Sequence, residues 1–177
     1  MMKLASAFAM VLVGGAAAPV LAQHPAMPAG MTHEQHLAQM EKDRELKERG
    51  AAAMGFDQDS TTHHFRLFET GGGIQVVTND PADATGRDQI RMHLREIAAD
   101  FANGNFAKPF MTHGEVPPGV KTMQARKGTL SFTYQDSPDG GMVRITTTDA
   151  KTRQAVHDFL RYQIHEHATG DPLTVGK

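Results

Sequence analysis

After residue 61 the chain twice runs through short stretches of alternating apolar and polar residues, and each time goes on into a stretch with helical spacing. In the first such stretch, 62–69, alternation puts His63, Phe65 and Leu67 on one face and His64, Arg66 and Phe68 on the other. A glycine run, Gly71-Gly72-Gly73, reads as a turn, and 74–79 reads as a return strand. Asp80-Pro81 then opens a helix to about residue 101, with Ile90, Leu94, Ile97 and Phe101 along one side. The second half has the same order. It has a strand over 129–135, a turn at Ser137-Pro138-Asp139-Gly140-Gly141, a strand over 142–148 and a helix from Asp149 to about residue 168. Val156, Phe159, Leu160 and Ile164 form its apolar face.

The two halves align. Ile74-x-Val76-x-Thr78-x-Asp80 matches Val143-x-Ile145-x-Thr147-x-Asp149, and Leu94-Arg95 matches Leu160-Arg161. The expected fold is α+β: two ββα repeats forming a four-stranded, mostly antiparallel sheet with two helices on one face. The pattern leaves the strand order open. The uncovered face would carry His64, Arg66, Phe68, Gln75, Val77, Ser131, Thr133, Arg144 and Thr146. It is largely polar, hence solvated or a face for pairing with a second copy. Between the halves, 104–127 is long for a simple connection and is a candidate functional loop, with a short helical turn expected around Met123.

Upstream of residue 54 the pattern changes. Thr32 and Gln35 form a capping box for a helix over 33–49, with Gly50 as its stop. That helix is dense in alternating charge and has little apolar surface to bury. His33, His36 and Met40 share one of its faces, either as a weak metal-capturing patch or, more commonly for such a helix, as part of a solvated surface touching the domain. Residues 23–53 therefore read as a flexible Met/His-bearing arm, and 54–177 as the duplicated domain. The first 22 residues read as an export signal: Lys3, then a small apolar run through Ala18, then Val20-Leu21-Ala22 as a cleavage pattern. The expected location is a bacterial periplasm or the outside of the cell, with no membrane span, since the apolar run is too short for one.

Composition narrows the chemistry. The formal net charge is −2, and loss of the signal with its one lysine would take it to about −3. No basic run stands out, which argues against a nucleic-acid surface. There is no cysteine, so no disulfide holds the fold and no thiolate binds metal. All 10 histidines, and every methionine except Met1, Met2 and Met10, follow the signal segment. Imidazole and thioether without thiolate is a ligand set suited to exported copper proteins.

Four histidines are candidates for a shared interior site. His63 faces the core from the first strand, and His93 borders the buried side of the first helix, between Ile90 and Ile97. His167 follows Ile164 at the end of the second helix, and His113 lies in the connecting segment. His64 is a flanking candidate, and Met111 and Met123 are candidate thioether ligands. The ordinary alternatives are hydrogen-bonded core histidines and gap-filling methionines. His157, Arg161 and His165 form a separate stripe expected to be exposed. No spacing here is a known ligand signature, no serine lies in a nucleophile elbow, and no phosphate-binding loop is present.

Met54-Gly-Phe-Asp-Gln, His63-His64-Phe65, Pro109-Phe110-x-Thr112-His113, Pro117-Pro118-Gly119 and His157-x-Phe159-Leu160-Arg161 together resemble a family of small exported bacterial proteins, over about 54–172. Some members carry the label aspartate carbamoyltransferase. This chain has no carbamoyl-phosphate loop and is far too short for that enzyme. The resemblance implies an exported domain and supplies no activity or ligand set. The leading expectation is a periplasmic metal-binding protein, most suited to copper, for sequestration, tolerance or delivery. The second is a binding module for an organic ligand, haem included, or for a periplasmic partner protein. The third is an enzyme using histidine acid/base chemistry.

Overall fold

A computed structural model of the chain describes residues 30–176. The expected signal segment and the start of the arm lie outside the described residues. The fold is α+β, with five α-helices among the described residues and one four-stranded antiparallel sheet. In chain order these are α1 (His33–Met54), β1 (Thr61–Phe68), β2 (Gly71–Thr78), α2 (Ala84–Ala102), α3 (Ala107–His113), α4 (Val120–Ala125), β3 (Ser131–Ser137), β4 (Gly140–Thr146) and α5 (Ala150–Glu166).

The sheet order is β1-β2-β4-β3, so each hairpin contributes one central and one edge strand. The pairing of β2 with β4 sets Ile74 opposite Val143 and Gln75 opposite Met142. Phe65, Leu67, Ile74, Val76, Val143 and Ile145 face the helices and are buried. On α2 they meet Ile90, Leu94, Ile97 and Phe101, and on α5 Val156, Phe159, Leu160 and Ile164. The helices are crossed over the hairpins. α2 follows β1 and β2 yet packs mainly on β3 and β4, whereas α5 follows β3 and β4 and packs on β1 and β2. Neither ββα succession closes a core alone, because each covers the other's hairpin.

Several local expectations change. The glycine run belongs to β2 rather than to a turn, because Gly71 pairs with Phe68 on one side and Thr146 on the other. At φ 139° and against the Ile145 carbonyl, Gly71 has no room for a Cβ. Asp83, not Asp80, caps α2 by accepting from the Gly86 amide at 2.8 Å; Asp80 accepts from the Ala82 amide in the preceding turn. Asp149 caps α5 as expected, accepting from the Thr152 amide at 2.8 Å. The capping box of Thr32 and Gln35 is present, but α1 does not stop at Gly50. Gly50 is buried against the Gln58 side chain, and the helix runs on to Met54, with Gly55 in the left-handed cap position. The segment expected to be a long loop is folded into α3, while α4 stands where the short helical turn around Met123 was expected.

α1 lies against α3. Leu46 is buried, and the Arg49 guanidinium donates to the Thr112 carbonyl at 3.0 Å. Lys42 pairs with Glu166 at 3.0 Å, so the helix also reaches the end of α5. No helix among the described residues is long and apolar enough to cross a membrane.

Candidate functional site

Between the sheet and the helices is a cavity of about 70 Å³, walled by His63, His93, His113 and His167 together with apolar side chains. Four separate elements supply these rings. Strand alternation turns His63 inward from β1 along with Phe65 and Leu67. Helical spacing puts His93 beside Leu94 and Ile97 on the buried side of α2. His113 is the last residue of α3, and the left-handed Gly114 that ends the helix turns the chain away behind it. His167 follows α5, where its amide returns to the Gln163 carbonyl at 3.0 Å.

The rings are near one another but not all in contact. Centroids of His63 and His167 are 5.7 Å apart and nearly parallel, and His113 meets His167 edge-on at 5.1 Å. His93 stands off and packs edge-on against Phe56 at 5.5 Å. Among the described residues, no three His, Cys, Asp or Glu side chains are grouped closely enough to hold a metal ion.

Burial sets the charge state. Loss of solvent pushes the His63 ring down to about 4, helped by the neighbouring His93 and His64. It pushes His93 down to about 4, with the Lys108 ammonium adding to the effect, and His167 down to about 3, with His63 and His113 adding. His113 is lowered by burial too, and its hydrogen bond to Gln163 works in the opposite sense. All four are therefore neutral imidazoles at pH 7, the form that offers a lone pair.

Their hydrogen bonding sets them apart from ordinary core histidines. His63, His93 and His167 make no side-chain hydrogen bond among the described residues. His113 Nε2 lies 3.0 Å from the Gln163 Oε1 acceptor, so Nε2 carries the proton and Nδ1 holds a free lone pair. That Nδ1 is buried without a partner, and so is Gln163 Nε2. Buried polar atoms are nearly always paired in folded proteins, so two orphans around one small cavity are notable.

The other candidate residues lie elsewhere. His64 is on the far side of the sheet strand, where its Nδ1 is 3.0 Å from Asp171 Oδ1 in the C-terminal segment, outside the cavity wall. Met111 is 50 % exposed on α3, and Met123 is fully buried in the hydrophobic core; neither lines the cavity. His157, expected to be exposed, is buried, and its Nε2 lies 2.9 Å from both the Phe68 and the Gly71 carbonyls. α5 leans over the β1–β2 turn there, a tertiary fact that a single-helix stripe does not carry. His33, His36 and Met40 do not line the cavity either.

Two wall residues were not singled out from sequence. Met54 ends α1 and lines the cavity. Gln163, only 4 % exposed, is an amide on the apolar face of α5, four residues after Phe159. That misplaced polar residue was a readable signal. Lys108 also reaches the wall, but its charge is held by Asp100 at 2.9 Å and Glu96 at 3.2 Å. Comparison with protein-family models, with curated proteins and with solved structures finds no match to this chain.

Proposed function

We propose that the protein binds a metal ion at the imidazole-walled cavity, with Cu(I) the best chemical match, for sequestration or delivery. One observation carries the reading: four neutral imidazoles wall one cavity, three with no side-chain hydrogen bond and the fourth with a buried, unpartnered Nδ1. The pairing of His113 Nε2 with Gln163 is the second-shell arrangement that fixes a ligating histidine's tautomer.

Charge favours a monovalent ion. Among the described residues no carboxylate lines the cavity, the Lys108 ammonium on its wall is paired with Asp100 and Glu96, and Met54 is a wall residue with a soft thioether. The cost of moving an ion out of water rises steeply with its charge, so an apolar site with neutral donors suits Cu(I) better than a divalent ion. Size favours an ion over haem or another organic ligand. A cavity of about 70 Å³ is well below the roughly 300–1,000 Å³ of pockets that take drug-sized molecules. Because no three rings converge before loading, binding includes ring rotation, with His113 and His167, already 5.1 Å apart, as the first pair.

An anaerobic Cu(I) titration against a chromophoric chelator tests this reading. One equivalent should be retained by the chain, and His113→Ala and His167→Ala should each weaken retention by about tenfold or more, the scale seen for lost ligands and their supports. His64→Ala should leave it unchanged. Undiminished affinity in both cavity variants would refute the site.

A further inference from the structure

The cavity has a larger neighbour. A cleft of about 390 Å³ lies between α1 and the ends of β1 and α5, and its wall shares just two side chains with the inner cavity, His63 and His167. The two spaces differ in chemistry. The inner wall is apolar with neutral imidazoles and one ion-paired cation, Lys108, whereas the outer one includes Asp43 of α1, Glu166 at the end of α5, the hydroxyl residues Thr61 and Thr62, and Lys47, which is paired with Asp59 at 2.6 Å. They differ in capacity as well. The cleft can hold an ion with its water shell, while the cavity has room for the ion and a few waters at most.

A cation entering an apolar site must exchange water for protein ligands stepwise, because a bare charge in low dielectric is very costly. His63 and His167 are placed for that exchange. Their rings are nearly parallel, 5.7 Å apart, and neither makes a side-chain hydrogen bond among the described residues. At the inner end, His113 Nδ1 is buried without a partner and offers its lone pair. α1 frames the cleft through Lys42–Glu166, and through the Gln58 amide, which donates to the Lys47 carbonyl at 2.8 Å.

We infer that this outer cleft is the loading vestibule of the inner site: it receives a small soft cation with its water, and His63 and His167 pass it inward. The inference rests on the metal-binding reading above. It assigns α1 a function, as the wall that turns an open rim into a cleft.

Because the chain has no cysteine, a single introduced thiol can be capped specifically. The probe is Ag(I), a redox-inert soft ion, and loading is followed by stopped-flow quenching of tyrosine fluorescence, since Tyr162 packs 5.1 Å from His113. Asp43→Cys capped with a bulky maleimide should slow loading about tenfold or more while changing equilibrium affinity by no more than about threefold, a change in rate without a change in site. Lys47→Cys, capped the same way, should give the same slowing. Asp88→Cys on α2, capped identically, should load at the rate of the unmodified chain. Loading at that same rate in both cleft variants would overturn the vestibule and leave the metal site standing. Failure of the unmodified chain to bind Ag(I) or Cu(I) would overturn both.

Discussion

Two kinds of inward-facing histidine occur among the described residues, distinguished by what their nitrogens meet. His157 donates to two hairpin carbonyls and is a structural clamp. His157→Leu should therefore cost about 1–3 kcal/mol, mostly from the carbonyls left unpaired, read as a lower urea midpoint with unchanged metal retention. The cavity histidines behave differently with pH. His63 and His93 resist protonation down to about 4 and His167 to about 3, whereas the unfolded chain protonates them near about 6.5. In that window the unfolded state binds more protons. Their contribution to stability is thus complete above about pH 6.5 and is lost as pH falls through the window, by up to about 1.4 kcal/mol per pH unit for each ring. Urea midpoints should fall between pH 7 and pH 5, and His167→Gln should flatten that fall. Equal midpoints in the parent chain would contradict the assignment. The inward direction of His63 was legible from alternation alone, and that of His93 and His167 from helical spacing. The free lone pair of His113 was not, because it depends on Gln163 of α5, 50 residues away in sequence.

Among the elements, strand and helix order was legible because each segment keeps one period over most of its length. The errors fall where tertiary contact decides. The glycines of β2 read as a turn because nothing local says that Gly71 must fit beneath the Ile145 carbonyl. Gly71→Ala should consequently destabilise by more than the roughly 1 kcal/mol of an ordinary strand glycine, since it adds both φ strain and a backbone clash. Denaturant unfolding measures it, and a neutral effect would mean that β4 can shift. The crossing of α2 and α5 over each other's hairpins was equally hidden. It follows from strand order, and the apolar pattern is the same in either arrangement.

At the scale of the whole molecule, the described C-terminal segment completes the sheet's outer rim. Asp171 accepts from the Phe65 amide at 2.9 Å and lies 3.0 Å from His64 Nδ1, and the Gly176 amide donates to the Leu67 carbonyl at 2.9 Å. These contacts occupy backbone groups on the free side of β1, which would otherwise offer an edge for pairing with another chain. Deleting residues 171–177 should lower the unfolding midpoint and promote self-association, visible by analytical ultracentrifugation. A truncated chain that stays monomeric and equally stable would contradict that role. The same global packing unites residues 63, 93, 113 and 167, so no short motif could have announced the cavity. That cavity is the proposed metal site. X-ray absorption of the Cu(I)-loaded chain tests it most directly. At least two imidazole nitrogens are expected at about 2.0 Å, the usual metal–imidazole distance, with at most one sulfur. A shell of oxygen, or of sulfur alone, would contradict it.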